Sequence, residues 1–302
     1  MTRRAGVVGL ILGLFLATGS AARDTVLEGK LVSAGSDTLG ALSSLWAELL
    51  RERHPDVLVQ VRAIGSGAAP TALVQGSADL GPMSRPMSAA EHDLFFQRYG
   101  YAPTAVPVAY DEIAVFVHRD NPIEHLTRRE LDAMFSATRR CGHSRSIREW
   151  NSLRADGAAR RQPVSLYGRS AASGTYSVFR DKMLCGGDFA PELNRLVGSA
   201  AIVHAVATDP DGIGYASAGH LNVSVKRVAV LDDAGGAERS LARGLYLYLN
   251  RPPGAQLEPL VAAYIDLALD DVGQREVARA GYKPLAPRER RLLRKRLGLG
   301  GD

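Results

Sequence analysis

Three polar turns, each set against a short apolar run, constrain this chain more than any other feature. Lys30 to Ala34 reads as a strand, and Gly35-Ser36-Asp37-Thr38 follows it. Leu39, Leu42, Leu45, Trp46, Leu49 and Leu50 then recur at helical spacing. That helix ends near His54-Pro55, because proline disfavours helix at the residue before it. Val57 to Ala63 alternates as a strand, Gly65-Ser66-Gly67 breaks it, and a helix spans about Ala69 to Gln75. Ala78 to Gly81 reads as a third short strand. Strand, turn and helix in repeated order predict an α/β domain with largely parallel strands. Ligands of such sheets sit beyond the carboxyl ends of the strands, where the turns at 35–38, 65–67 and 79–85 are expected to converge.

Val106 to His118 predicts a strand that runs past Asp111-Glu112, long enough to pass from one lobe into another. Thr127 with Glu130 three residues on is a capping box opening a helix to Phe135. The stretch 139–161 is polar, basic and irregular, and nothing in the sequence gives it a role. Ile202 to Ala207 reads as helix. Gly212 to Tyr215 leads into a buried strand, and Val225 to Leu231 reads as a strand returning to the first lobe. Leu257 to Ala268 and Val272 to Ala280 read as closing helices.

A fourth turn has the chemistry of an anion site. Val164 to Tyr167 leads to Arg169, and Ser173-Gly174-Thr175 opens a helix to about Leu184. Arg169 brings a permanent charge and a rigid fork of donors. Gly174 lets backbone approach a ligand with no Cβ in the way. Ser173 and Thr175 bring hydroxyls, and the first free N–H groups of a helix point outward at the positive end of its dipole.

The first residues read as a targeting segment. Arg3 and Arg4 precede an apolar run from Val7 to Ala17 and a small-residue end at Ala21-Ala22. This pattern predicts a secretory signal peptide cleaved near Ala22, and hence an exported protein. Losing Arg3 and Arg4 takes the formal charge from +5 to +3. Much of the remaining excess lies in the tail 286–302, read as a solvated terminal helix. The charges lack the interleaved aromatics of a nucleic-acid surface. Cys141 and Cys185 are the only cysteines, and in an exported chain an even pair predicts a disulfide.

Gly35-Ser36-Asp37-Thr38-Leu39, Gly65-Ser66-Gly67, Ala78-Asp79-Leu80-Gly81 with Ser84-Arg85-Pro86, Arg169 with Ser173-Gly174-Thr175, Gly212-Ile213-Gly214-Tyr215 and Gly281-Tyr282-Lys283-Pro284-Leu285 occur in this order. In this ordered set the chain resembles the PstS-like periplasmic phosphate-binding proteins of ABC importers over roughly residues 30–285. The resemblance implies a two-lobed type 2 periplasmic-binding-protein fold, α/β, with mixed, mostly parallel sheets joined by two crossing strands. It implies a first lobe from 23–110 and 227–285, and a second from 111–226. It also implies a monomer that captures inorganic phosphate in the periplasm and delivers it to permease subunits in the inner membrane. By the same resemblance Thr38 and the Leu39 backbone, Ser66, Arg169, Ser173, Gly174 and Thr175 surround the anion, and Asp79 is the discriminating acceptor. Chemistry agrees with such an acceptor: hydrogen phosphate has an O–H to donate to a carboxylate, whereas sulfate has none and meets lone pair with lone pair. Asp37 reads more simply as an N-cap. The family's acid two residues after the loop arginine is replaced by Ala171, which leaves Arg169 less neutralised unless another acid takes its place.

Other readings keep the scaffold and change what it serves, as a binder of another oxyanion such as molybdate or as a receptor for a sensor. A phosphatase using Ser173 is the weakest, since its context is not Gly-x-Ser-x-Gly. His54, His92, His118, His125, His143, His204 and His220 are scattered without metal-ligand spacing, and no Gly-x-x-x-x-Gly-Lys loop is present. No cofactor or metal is expected.

Overall fold

The structure is a computed structural model, which describes residues 27–153, 162–234 and 236–299. The signal-peptide segment and part of the basic 139–161 stretch lie outside the described residues. In chain order the strands are β1 (Gly29–Gly35), β2 (Val57–Ala63), β3 (Leu80–Met83), β4 (Thr104–His118), β5 (His125–Thr127), β6 (Ser165–Arg169), β7 (Asn194–Leu196), β8 (Gly212–Ser217), β9 (Val225–Leu231) and β10 (Ala242–Leu249). The helices are α1 (Gly40–Arg53), α2 (Ala68–Val74), α3 (Ala89–Tyr99), α4 (Arg128–Phe135), α5 (Gly174–Met183), α6 (Ser199–Thr208), α7 (Pro259–Leu269), α8 (Asp271–Arg279) and α9 (Pro287–Leu297).

The strand order is β2-β1-β3-β10-β4-β8-β6-β7, with β9 and β5 branching from β4. β1 pairs parallel with β2 and β3, and β6 pairs parallel with β7 and β8. The long β4 ties the two groups together. Its first part pairs antiparallel with β10, from Leu249↔Thr104 to Ala242↔Glu112. Its last part pairs with β8 and β9. β4 therefore crosses between lobes at Asp111 to Ile113, as its length implies.

Alternation along β4 feeds separate cores. Val106 and Val108 join Leu31, Leu42, Trp46, Leu247, Tyr264 and Ile265 under α1, α7 and α8. The opposite face of that lobe packs Ala69, Leu73, Met83, Phe95 and Tyr248 under α2 and α3. Past the crossing, Ile113, Val115 and Val117 face Leu131, Phe135, Phe179 and Tyr215, while Phe116 faces Ile202, Val203 and Val206 of α6. Side chains two apart share a face of a strand, so one strand serves both sides of its sheet.

Two expectations change. Val225–Leu231 is not the return to the first lobe, because β9 pairs with Val115 to His118 and with β5 and buries Val228 and Val230 in the second core. The return comes at β10, beginning with Ala242. The basic terminus is a docked helix: Leu293, Leu297 and Leu299 enter the first core, and Arg290 and Arg294 pair with Asp271 and Asp266. The Thr127–Glu130 capping box forms with both reciprocal bonds.

Cys141 and Cys185 form a disulfide that ties the loop after α4 to the end of α5. The two cysteines are 44 residues apart in sequence. Closing a loop of that length restricts the unfolded chain and stabilises the fold by roughly 2–4 kcal/mol. Reduction is expected to lower the melting temperature by about 5 °C or more. Calorimetric melts with and without reductant check this; coincident melts would show that the bridge contributes nothing.

Candidate functional site

Parallel pairing places the carboxyl ends of β1, β2 and β3 along one edge, and the carboxyl ends of β6 and β8 face them from the other lobe. The turns on the first edge are stitched together by backbone. Ser36 N donates to Pro82 O at 2.7 Å, and Gly65 N donates to Gly35 O at 2.8 Å. The lobes meet over this edge. Gly67 N donates to Ala172 O at 3.0 Å, and a Cβ on Gly65 would lie 2.6 Å from the same oxygen. Gly65 has φ +114°, so both its conformation and this close approach require glycine.

Five of the expected groups line this junction. Thr38 Oγ1 lies 3.4 Å from Thr175 Oγ1 across the lobes. The Thr38 carbonyl accepts from Tyr282 Oη at 2.6 Å, which ties the Gly281-Tyr282-Lys283 segment to the first turn. Ser66 Oγ accepts from Ser84 N at 3.0 Å and lies 3.2 Å from Ser84 Oγ. Gly174 lies directly over this pair: a Cβ there would come within 2.6 Å of Ser66 Oγ and 2.5 Å of Ser84 Oγ. Thr175 is fully buried on the first turn of α5. Ser173 is the N-cap of that helix, its Oγ accepting from Thr175 N at 3.1 Å. Leu39 N reaches only its own turn, at 3.4 Å from Ser36 Oγ.

Arg169 is the centre of charge. It ends β6, is only 2% exposed, and its backbone N–H donates to Tyr215 Oη at 3.3 Å. Tyr215 stacks on Phe179 of α5 with ring centroids 3.8 Å apart, so the arginine leaves a rigid aromatic wall. Burial, and then the nearby charge of Arg243, pull its pKa down to about 10, so the guanidinium remains charged at neutral pH. Burial pushes the Tyr215 phenol up, and it stays neutral.

The acid beside Arg169 comes from the opposite lobe. Asp37 forms an ion pair with Arg169 Nη2. It is not the N-cap of α1, whose cap position is Leu39 with no side-chain bond. The absence of an acid at Ala171 is thus met across the cleft. Arg169 Nε and Asp37 Oδ1 are both buried with no partner among the described residues. A spare cationic donor and a spare carboxylate oxygen on the two members of one ion pair complement an oxyanion that keeps one proton.

Asp79 is not in this group. It precedes β3, whereas Ser84 follows it, so Asp79 sits at the amino end of the strand, away from the edge where ligands bind. Its Oδ2 accepts from Val32 N at 2.7 Å, and it lines a separate surface hollow with Leu73, Asn250 and Arg251. The discriminating role expected for Asp79 is therefore corrected. Arg85 is also occupied elsewhere, making a two-pronged bond to Glu91 at 2.6 and 2.7 Å.

Sequence reasoning missed the floor of the cleft. Arg243 and Asp111 are register partners on β10 and β4, both buried at the lobe crossing. Arg243 Nε and Nη2 donate to Asp111 Oδ2 at 3.0 and 2.7 Å, and Nη1 donates to Ser84 Oγ at 3.2 Å. Ser217 Oγ donates to Asp111 Oδ1 at 2.7 Å. Ser199 Oγ accepts from both Ser217 N and Arg169 Nη1, each at 3.4 Å. Arg243 has no turn motif around it; only its place opposite Asp111 in the sheet marks it.

Comparison with known proteins agrees with this architecture. Residues 17–272 match the family model described as a PBP superfamily domain. A curated relative, the phosphate-binding protein PstS of Pseudomonas aeruginosa, is 44% identical over 285 residues, covering 90% of this chain and 88% of its own. A Clostridium perfringens chain solved with bound phosphate superposes with a TM-score of 0.70 at 22% identity, covering 85% of this chain and all of that one. An ABC-type phosphate transport receptor from Vibrio cholerae gives 0.65 at 20% identity over 84% of this chain and all of its own. Among the described residues, no helix is long and apolar enough to cross a membrane.

Proposed function

The chain belongs to the PBP superfamily and, within it, to the PstS phosphate-binding proteins, and from that premise we propose that it captures inorganic phosphate between its lobes for an ABC importer. The observation that carries this reading is the buried Arg169, flanked by Thr38, Ser66, Gly174 and Thr175 drawn from both lobes. A buried dianion must exchange its water shell for donors, and each charge-assisted bond contributes about 1.5–3 kcal/mol net. A handful of them supports roughly micromolar or tighter binding.

The site residues in this proposal are Arg169, Thr38, Ser66, Thr175, and the backbone N–H groups of Leu39 and Gly174 at two helix starts. Ser173 acts through its cap of α5. The proton test belongs to Asp37: one oxygen pairs with Arg169, and its other, unpartnered oxygen accepts the ligand's O–H. Sulfate would place a bare oxygen against that carboxylate.

The proposal is binding without turnover. Ser173 Oγ is engaged by Thr175 N, and among the described residues no histidine bonds to it. A phosphatase would need a base there. The protein acts as an exported monomer in the periplasm, and lobe closure is what its permease reads.

Titration calorimetry of ligand-free protein tests the function. Phosphate is expected to bind at micromolar or lower Kd, with sulfate at least about tenfold weaker. A phosphate titration with no heat and no shift in melting temperature would overturn the reading.

A further inference from the structure

The chemistry of Arg243 goes beyond the single arginine of the proposed site. Its guanidinium has five N–H donors, and three are committed: two to Asp111 Oδ2 and one to Ser84 Oγ. Ser84 Oγ is in turn 3.2 Å from Ser66 Oγ, and both hydroxyls lie against Gly174 at the start of α5. Arg243 therefore reaches the same small volume as the proposed anion-binding groups, but from the floor. Asp111 fixes its plane from behind: the carboxylate takes Nε and Nη2 on one oxygen and Ser217 Oγ on the other. Its two remaining donors, one on Nη1 and one on Nη2, are fixed in the plane that Asp111 sets.

We infer that Arg243 is a second cationic ligand of the bound anion, donating from the cleft floor and orienting the Ser84 hydroxyl toward it. This deepens the proposed phosphate site and rests on that reading. The geometry agrees: Arg169 and Arg243 are both buried and reach this junction from opposite sides, through Asp37 and through Ser84, and the charge of Arg243 is one of the causes that lower the Arg169 pKa. Like charges brought together without water repel, and a doubly charged guest relieves both. The acids that face this pair are Asp37 and Asp111; His220 and Tyr282 also lie within reach of both arginines, and burial holds the His220 imidazole below and the Tyr282 phenol above its ordinary pKa. The ligand class remains the tetrahedral oxyanion of the proposed site.

A structural role is the competing account, in which Arg243 only neutralises Asp111. The double variant Arg243→Met, Asp111→Asn separates the two. It removes the cation and its counter-charge together, so no unpaired buried carboxylate is left, and the amide oxygen introduced by Asp111→Asn still accepts from Ser217. By titration calorimetry, the double variant is expected to bind phosphate at least about tenfold more weakly than wild type. The single Arg243→Met variant should be weaker again, since it leaves Asp111 unpaired beside the anion. A double variant that equals wild type would overturn the inference while leaving the phosphate reading intact. A wild type that binds no phosphate removes the reading and the inference with it. A crystal structure of wild type with phosphate decides the matter without any variant: Arg243 donates to a phosphate oxygen, or the inference is wrong.

Discussion

Arg169→Met is expected to weaken phosphate binding by at least about a hundredfold while leaving the fold intact. The variant loses charge-assisted bonds of about 1.5–3 kcal/mol each to the ligand. It also leaves Asp37, which now pairs with Arg169, as an uncompensated carboxylate at the ligand's position. Breaking a buried pair costs about 3–5 kcal/mol, and each 1.4 kcal/mol is tenfold in Kd. Asp37 and Arg169 lie on different lobes, so the orphaned Asp37 recovers its water if the cleft opens. The penalty then appears in closure and binding rather than in unfolding. The melting temperature without ligand should change little, and small-angle scattering should show a more open molecule. A variant with wild-type Kd would remove Arg169 from the centre of the site.

The contrast between Asp79 and Asp37 shows what the sequence could and could not reveal. The strand–turn–helix order is local: alternation, capping residues and turn glycines announce it, and β1 to β3, β4 and α5 lie within a few residues of where the pattern puts them. The Arg169 loop is local in the same sense. Both aspartates, however, sit in polar turns beside short apolar runs. Which one faces the cleft depends on which end of a strand it occupies. β3 starts at Leu80, and that start decides the matter against Asp79. Asp37 resembles a helix cap because its partner is 132 residues away in sequence, on the other lobe. Arg243 is hidden for a related reason. Its environment is made by register with Asp111 and by the end of β3, and neither leaves a mark on the residues beside it. Long-range pairing, not local propensity, assembles the floor of this cleft.

Asp37→Asn should carry the second large effect, and it acts on selectivity. In the proposed site the carboxylate accepts a hydrogen bond from the O–H of hydrogen phosphate and repels the bare oxygen that sulfate would place there. An asparagine at this position removes the negative charge and can turn an N–H toward an unprotonated oxygen. Sulfate then gains a donor in place of a repulsive contact, while phosphate exchanges a charge-assisted bond for a neutral one. Charge-assisted bonds are roughly twice as strong as neutral ones, so phosphate affinity falls as sulfate affinity rises. The ratio of their Kd values is expected to narrow by at least about tenfold. Arg169 loses its counter-ion in the same change, which acts on both dianions alike and leaves the ratio to the exchanged hydrogen bond. The control is Asp79→Asn, which should cost the Val32 N–H its charged acceptor and leave the ratio where it was. Parallel titrations of both variants with phosphate and sulfate give the answer: a ratio that moves with Asp79 and not with Asp37 would return the proton test to the wrong end of β3, against the geometry of the sheet.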